Sequence, residues 1–446
     1  MSGPRQLHLA AFLQGVNHTT VWADPAAGSQ VAFSSFEHMA RTAERGTFDF
    51  FFLAEGLRLR EQKGLIHDLD VVGRPESIAV LSALAAVTER LGLAATVNTT
   101  FNEPYELARR FATLDLLSGG RAGWNIVTSS DAFTGENFRR GGYLAHDERY
   151  TRAAEFAELA KELWGSWGEG AVLGDRASGA FLREEAVREV VHTGPQFDVR
   201  ARATLPPSPQ GRPVIIQAGD SEEGRTFAAS TADVIFSRHS TREAGQAFVA
   251  DIRGRAVSSG RRGDDVKVLP AVSWVLGDTA AEAAERAQHI RFQQVTPANA
   301  IAFAEQVWNR DLSDLDPDGP LPDVEPVEGE LLSQGRAASR RIDRAAVSAQ
   351  WRELSRSRGL TLRETAAEMS SHQSFVGTPE AVAEEMISFL DADACDGFVL
   401  TPHINPGGLD DFVDRVVPLL RERGRFRSEY TSTTLRGHLG LDGRPL

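Results

Sequence analysis

Short apolar runs alternate along this chain with longer segments in which apolar residues recur every three or four positions. The short runs are nearly continuous, which is typical of strands buried on both faces of a parallel sheet. The longer segments have the period of helices that bury one face. Eight strands are predicted, at residues 6–13, 48–54, 92–98, 121–127, 213–218, 233–236, 266–276 and 396–401.

Capping residues mark where several of the predicted helices begin. Ser34 is followed three residues later by Glu37, which is a capping-box pattern for a helix over 34–45. Prolines begin two more, over 75–90 and 104–117. The remaining predicted helices are 147–165, 221–230, 242–259, 279–308 and 378–391.

Eight strand-and-helix units predict a (β/α)8 TIM barrel. An open, doubly wound sheet is the alternative, but the strand count and the lack of an early glycine-rich turn favour the barrel. The chain has 446 residues, whereas a plain barrel needs about 250. One domain over 1–446 is therefore expected to carry insertions at about 128–146, 166–212 and 309–374. The acidic, proline-rich segment 313–330 is predicted to be an exposed loop or a lid.

Composition excludes several classes of protein. The net charge is −14 and no basic patch stands out, which argues against a nucleic-acid partner. One cysteine, Cys395, rules out an internal disulfide and fits a reducing compartment. Neither a signal peptide nor an apolar run of about 20 residues is evident. We expect a soluble cytoplasmic protein without a membrane partner.

Polar residues follow the predicted strands where a barrel has its active site, at the C-terminal ends. The stretch 121–131, RAGWNIVTSSD, begins as a core strand, carries the amide of Asn125 and ends in hydroxyls. The other strands likewise end in amides, hydroxyls and histidines, with Glu55 the one carboxylate that stands out. Two opposed carboxylates, paired metal-ligating histidines and a G-x-S-x-G elbow are all missing from the sequence. A site lined by neutral hydrogen-bonding groups suits a bound cofactor that carries the chemistry itself.

The stretch QAGDSEEGR, residues 217–225, suggests where an anionic group of that cofactor binds. A strand ends near Gly219 and a helix begins at Ser221. Free backbone N–H groups, a glycine and a hydroxyl together form an anion site. An ordinary N-cap at Ser221 explains the same residues, and the motif alone leaves both readings open.

These residues resemble a known family. RAGWNIVTS, HDERYTRAAEFAELAKELW (146–164), PQGRPVIIQAGDSEEGR, FVGTPEAVAEEM (375–386) and the tail 425–441 together resemble the nitrilotriacetate, EDTA and dibenzothiophene-sulfone monooxygenases. These enzymes belong to the bacterial luciferase-like superfamily, and the resemblance covers nearly the whole chain.

The resemblance implies a two-component monooxygenase. Reduced FMN would come from a separate NAD(P)H:flavin reductase, react with O2 to form a flavin C4a-(hydro)peroxide, and transfer one oxygen atom to a small organic substrate. It implies cofactor-binding roles for Glu55, Thr99, Thr100, Asn125, Val127, His146, Tyr150, Gly219, Asp220 and Ser221. It places His18 and Trp22 on the substrate side as candidate catalytic residues. Relatives often have aspartate where this chain has Glu55.

Two other functions remain open from the sequence: a deazaflavin-dependent hydride-transfer oxidoreductase and a non-catalytic flavin-binding protein. The substrate is also open. Arg58, Arg60, Lys63 and Arg238 are candidate cations for a polycarboxylate. The C-terminal tail 425–446 resembles a contact arm, which predicts a homodimer or homotetramer.

Overall fold

The computed structural model describes residues 4–59, 61–63, 65–66, 74–128, 135, 137–138, 146–219, 221–329, 343–370 and 373–441. Eight parallel strands close into a barrel in chain order, as the sequence predicted. They are β1 (His8–Phe12), β2 (Phe50–Leu53), β3 (Gly92–Asn98), β4 (Ala122–Val127), β5 (Val214–Gln217), β6 (Val234–Ser237), β7 (Lys267–Val272) and β8 (Gly397–Leu400).

The predicted strand 266–276 is two elements. β7 ends at Val272, and Trp274–Leu276 pairs outside the barrel with Phe375–Gly377. The register inside the barrel sets which residues share a level. Asn125 of β4 lies beside Thr96 of β3 and Ile216 of β5, so these three side chains face the same way. Ile216 belongs to the cluster inside the barrel, which places Asn125 inside as well.

Helices surround the barrel and fill its connections. They are α1 (Phe33–Arg45), α2 (Ser77–Ala85), α3 (Pro104–Leu117), α4 (His146–Trp164), α5 (Glu222–Thr231), α6 (Arg242–Ser258), α7 (Ala280–Gln294), α8 (Pro297–Trp308), α9 (Arg344–Arg358), α10 (Leu362–Ser370), α11 (Pro379–Asp391), α12 (Gly408–Arg415), α13 (Val417–Glu422) and α14 (Leu435–His438).

Three details of the helix predictions are wrong. The N-cap of α1 is Ala32, without a side-chain cap, so Ser34 and Glu37 form no capping box. The N-cap of α2 is Glu76 rather than the predicted proline start, and its carboxylate accepts a hydrogen bond from Ala79 N. The predicted helix 279–308 is α7 and α8, because Thr296 caps a new helix with Pro297 in its first turn.

The insertions contain structure of their own. Two hairpins lie within 166–212: Val172–Asp175 with Ala180–Leu182, and Val190–Thr193 with Asp198–Ala201. Within 309–374, α9 and α10 pack with α8 around Trp308 and Trp351. The acidic segment packs against this core, where Trp308 Nε1 donates a hydrogen bond to Val324 O at 2.8 Å. We call the unit formed by α8, residues 309–329, α9 and α10 the helical insertion.

The C-terminal tail closes the end of the barrel at which the strands begin. Leu435, Leu439 and Leu441 belong to the same interior cluster as the barrel strands. A Cβ on Gly92 would lie 2.6 Å from Leu435 Cδ1, so that glycine makes room for the tail. Residues 425–441 thus pack on the barrel of their own chain. The homodimer or homotetramer stays a prediction. No helix among the described residues is long and apolar enough to cross a membrane.

Candidate active site

An amide with an unmet acceptor lies inside the barrel near its C-terminal end. Asn125 Nδ2 donates to Thr96 Oγ1 at 2.9 Å. Asn125 Oδ1 is buried and accepts no hydrogen bond from the described part of the chain. A buried acceptor without a donor is costly unless a ligand or water supplies one. The polar end of RAGWNIVTSSD is therefore a place where the core strand offers an acceptor to a ligand.

Glu55 follows β2 at the same end of the barrel. Its Oε2 accepts from Asn98 N at 3.2 Å and from Asn98 Nδ2 at 2.9 Å. Burial raises the pKa of Glu55 to about 7, against the lowering effect of the two Asn98 hydrogen bonds. Glu55 is thus a carboxyl whose charge changes near neutral pH.

The two predicted threonines are neighbours in the loop after β3, but their hydroxyl groups have different surroundings. Thr99 is fully buried, and its hydroxyl lies 3.5 Å from the carbonyl oxygen of Val127. Thr100 Oγ1 is buried without a partner among the described residues. Arg152 of α4 fixes this loop by donating from Nε to Thr99 O, at 3.0 Å. Thr100 is therefore the threonine whose hydroxyl is available to a ligand.

A cradle of small residues lies between β5 and α5. Ser221 Oγ caps α5 by accepting from Gly224 N at 3.1 Å, and Tyr150 OH lies 3.3 Å from the same oxygen. A Cβ on Gly219 would lie 2.6 Å from Gln217 Nε2, and one on Gly224 would lie 3.0 Å from Tyr150 OH. Glycines at both positions keep the N-terminus of α5 open, with two hydroxyl groups beside it.

The loop after β1 carries the two predicted substrate-side residues. The His18 ring packs edge-on to Phe303 of α8, with centroids 6.1 Å apart. Trp22 is 48% exposed. Lys63, after β2, binds Glu305 of α8 and Asp311. The helical insertion is therefore held over the β1 and β2 side of the barrel opening.

Aromatic rings line the barrel below this opening. Phe52 stacks on Phe236 at 5.7 Å, and Phe12 packs edge-on to Phe52 at 4.8 Å. All three come from different strands, β1, β2 and β6. They form an apolar floor on which an organic ring or chain can lie without water.

Some predicted residues lie outside the description. These are Asp220, the side chain of His146 at the start of α4, and Arg60. Other residues at the site were missed by the sequence reasoning. Gln217 has a buried Oε1 without a partner among the described residues, and its signal is the same as that of Asn125: an amide ending an apolar strand. Arg152 gave no signal, because an arginine on a helix usually faces solvent.

Comparison with known proteins decides the family. The model of the family described as "Luciferase-like monooxygenase" matches residues 15–393. This chain belongs to the luciferase-like monooxygenase family. It is 39% identical to N-acetyl-S-(2-succino)cysteine monooxygenase of Bacillus subtilis (strain 168), over 99% of this chain and 98% of the relative. It is 37% identical to nitrilotriacetate monooxygenase component A of Aminobacter aminovorans, with the same coverage.

A solved structure agrees over the whole length of this luciferase-like chain. Riboflavin lyase, crystallised with modified FMN and riboflavin, matches with a TM-score of 0.80 and 32% identity. The match covers 98% of this chain and 96% of that one. The expected resemblance and the barrel fold are confirmed. The chain is a flavin-dependent monooxygenase.

Proposed function

We propose that this chain is the oxygenase component of a two-component enzyme that uses reduced FMN and O2. A separate NAD(P)H:flavin reductase supplies the reduced FMN. One oxygen atom of O2 enters a small organic substrate through a flavin C4a-(hydro)peroxide, and the other leaves as water while the flavin is oxidised. The observation that carries the proposal is the cradle at Gly219, Ser221 and Gly224, beside Tyr150. The name of the relative "component A" fits an enzyme whose reductase is a separate chain.

The residues at the site fit a flavin mononucleotide. The N-terminus of α5 and the hydroxyls of Ser221 and Tyr150 would hold the phosphate. The buried, unpartnered Asn125 Oδ1 and Thr100 Oγ1 would meet the N–H and carbonyl groups at the edge of the ring system. Reduced flavin supplies the activation of oxygen when it is bound.

The other residues predicted from the sequence have supporting roles in this proposal. Val127 and Thr99 shape the wall of the ring site, and Glu55 places a titratable carboxyl beside it. His146 and Asp220 are carried as cofactor-binding residues on the family resemblance alone. His18 and Trp22 would face the organic substrate from the loop after β1, where Phe303 of the helical insertion packs against His18.

Removing the Ser221 hydroxyl tests the phosphate site. Ser221→Ala is expected to raise the Kd of FMN about tenfold, since a hydrogen bond to a charged group is lost. The affinity for riboflavin, which has no phosphate, should not change. Tyr150→Phe should act in the same direction. Both flavins are titrated into the purified protein by isothermal calorimetry.

Thr241→Ala is the matched control, because Thr241 caps α6 by accepting from Ala244 N just as Ser221 caps α5. Each alanine variant is expected to lose about 1 kcal/mol of stability from its helix cap. Only Ser221→Ala should weaken FMN. Equal losses for FMN and riboflavin, or none for either, would show that the cradle does not hold the phosphate.

A further inference from the structure

A buried histidine and glutamine face each other at the barrel opening, away from the cradle. His403 follows β8, and Gln294 ends α7. Gln294 Nε2 donates to Thr19 O at 2.6 Å and lies 3.0 Å from His403 Nδ1. His403 O also accepts from Val21 N at 2.7 Å. The pair therefore joins three elements: the loop after β1, the loop after β8 and the end of α7.

These contacts assign the hydrogens of the pair. Thr19 O can only accept, so the Gln294 atom 2.6 Å away must be the amide nitrogen. Its second hydrogen can be donated to His403 Nδ1 only if that nitrogen is unprotonated, whereas a hydrogen bond from Nδ1 to Thr19 O, 3.2 Å away, needs it protonated. The contact with Gln294 Nε2 is the shorter of the two, at 3.0 Å, and favours the tautomer with the proton on Nε2. Burial lowers the pKa of His403, against a weaker raising effect of Thr19 O. The imidazole is therefore neutral, and the Gln294 contact favours the tautomer with the proton on Nε2.

Two polar atoms of this pair have no partner among the described residues. They are His403 Nε2 and Gln294 Oε1, and the two side chains are 8% and 4% exposed by residue. A buried donor or acceptor without a hydrogen bond destabilises the folded protein unless another molecule supplies the missing bond. The pair thus offers one N–H and one C=O to a molecule that the chain itself does not provide.

The position of the pair separates it from the proposed phosphate site. Eight strands close in chain order, so the boundary of β8 and β1 lies across the barrel from the boundary of β4 and β5. The cradle is beside β5, whereas Thr19, next to His18, is beside β1. A molecule at His403 would therefore be on the side of the barrel that the helical insertion covers.

We propose that His403 Nε2–H donates a hydrogen bond to an oxygen of the organic substrate, and so selects substrates that carry a carboxylate, sulfone or carbonyl oxygen. This inference rests on the proposed function, which requires an organic substrate, and it adds the chemical class of that substrate. Gln294 is the positioning residue, because its amide fixes which ring nitrogen carries the proton. An alkane or a simple sulfide has no acceptor oxygen and leaves the donor unmet.

Binding of defined probes tests the proposal. Nitrilotriacetate, dibenzothiophene sulfone and N-acetyl-S-(2-succino)cysteine carry acceptor oxygens, and dimethyl sulfide carries none. We expect at least one of the three oxygen-bearing compounds to bind the FMN-loaded protein in calorimetry. Dimethyl sulfide should bind more weakly than that compound. His403→Phe should weaken the oxygen-bearing probe about tenfold or more.

Two further variants separate a specific role from a structural one. His403→Gln keeps an N–H near the position of Nε2 and should retain affinity within about threefold. His38→Gln, on α1 and paired with Asp410, should change nothing. The ¹⁵N NMR shift of His403 should show a protonated Nε2. Binding of none of the three probes, unchanged affinity in His403→Phe, or an unprotonated Nε2 would overturn the proposal.

The same proteins keep this proposal distinct from the proposed function. FMN affinity and the reaction of the bound reduced flavin with O2 are measured on the wild-type protein without any probe. A protein that binds a probe in a His403-dependent way but does not react with O2 would retain the histidine site and lose the oxygenase. The reverse result would retain the oxygenase and lose the histidine site.

Discussion

Glu55 and its neighbours illustrate how the barrel opening combines burial with unmet polar groups. Asn125, Thr100 and Gln217 each keep one buried polar atom without a partner in the described chain, and Glu55 keeps a carboxyl whose pKa is raised by burial. Such groups reduce the stability of the protein without a ligand. They are expected at a binding site, where a ligand supplies the missing bonds.

The raised pKa of Glu55 makes the stability of the protein depend on pH. Its pKa is about 7 in the folded chain and 4.5 ordinarily. Between these values the folded state binds more protons than the unfolded state, so the stabilising effect is complete below 4.5 and is lost as the pH rises through about 7. The loss is about 3 kcal/mol at most.

Glu55→Gln should remove this dependence. Denaturant unfolding of the wild type and the variant between pH 4.5 and 7.5 measures it, and the wild type should lose stability relative to the variant as the pH rises. Glu285→Gln, on an exposed position of α7, should follow the wild type. Parallel pH profiles for the wild type and Glu55→Gln would contradict a raised pKa at the partly buried Glu55.

Some site residues were predictable from sequence and others were not, for a physical reason. An amide such as Asn125 inside an apolar run is a local signal, because burying it without a bond is costly. Arg152 and the pair of Gln294 and His403 give no such signal. Their contacts join residues 53 and 109 positions apart, so their roles depend on how the chain folds.

At the scale of elements, the eight strands were predictable because continuous apolar runs are local. The helical insertion was only partly predictable. Its segment 313–330 has the composition of a loop, yet its described part packs on a core built by Trp308 and Trp351, whose rings lie 5.8 Å apart. The two tryptophans are 43 positions apart in the chain and meet only when α8 and α9 pack together. Composition therefore describes the surface of this unit and not its core.

The core of the helical insertion should unfold separately from the barrel. Trp351→Ala leaves a cavity and is expected to cost about 3 kcal/mol or more. Because this core is distinct from the main one, amide hydrogen exchange should accelerate in α8, α9 and α10. The strands β1–β8 should stay protected.

Trp164→Ala is the comparison for this experiment, since Trp164 belongs to the main core beside Trp124. It should accelerate exchange in α3, α4 and β4 and spare the helical insertion. Equal acceleration throughout the chain in both variants would show one cooperative unit, and the helical insertion would then have no stability of its own.

At the scale of the whole molecule, the tail and the barrel form one unit. Arg436 binds the buried Asp233 at 3.2 Å, and Tyr430 OH donates to Phe48 O at 2.8 Å. Burial would raise the pKa of Asp233, but Arg212 and Arg436 lower it to about 2. The tail therefore closes the N-terminal end of the barrel, and the opening at the other end is left for ligands.

Removing the side chain that fills this end should destabilise the whole chain. Leu435→Ala is expected to cost about 3 kcal/mol, because Leu435 is fully buried inside the barrel. Leu173→Ala, at a half-exposed leucine of the hairpin strand Val172–Asp175, should change stability by less than about 0.5 kcal/mol. Denaturant midpoints measure both, and equal midpoints would contradict a packed tail.

Activation of oxygen by reduced flavin bound to this chain can be tested directly. The direct measurement mixes the protein and reduced FMN, held without oxygen, with oxygenated buffer in a stopped-flow spectrophotometer. We expect a long-lived absorbance of the flavin C4a adduct before oxidised flavin appears, and a loss of this phase in Ser221→Ala at limiting FMN. Oxidation at the rate of free flavin, with no intermediate at saturating protein, would contradict this expectation.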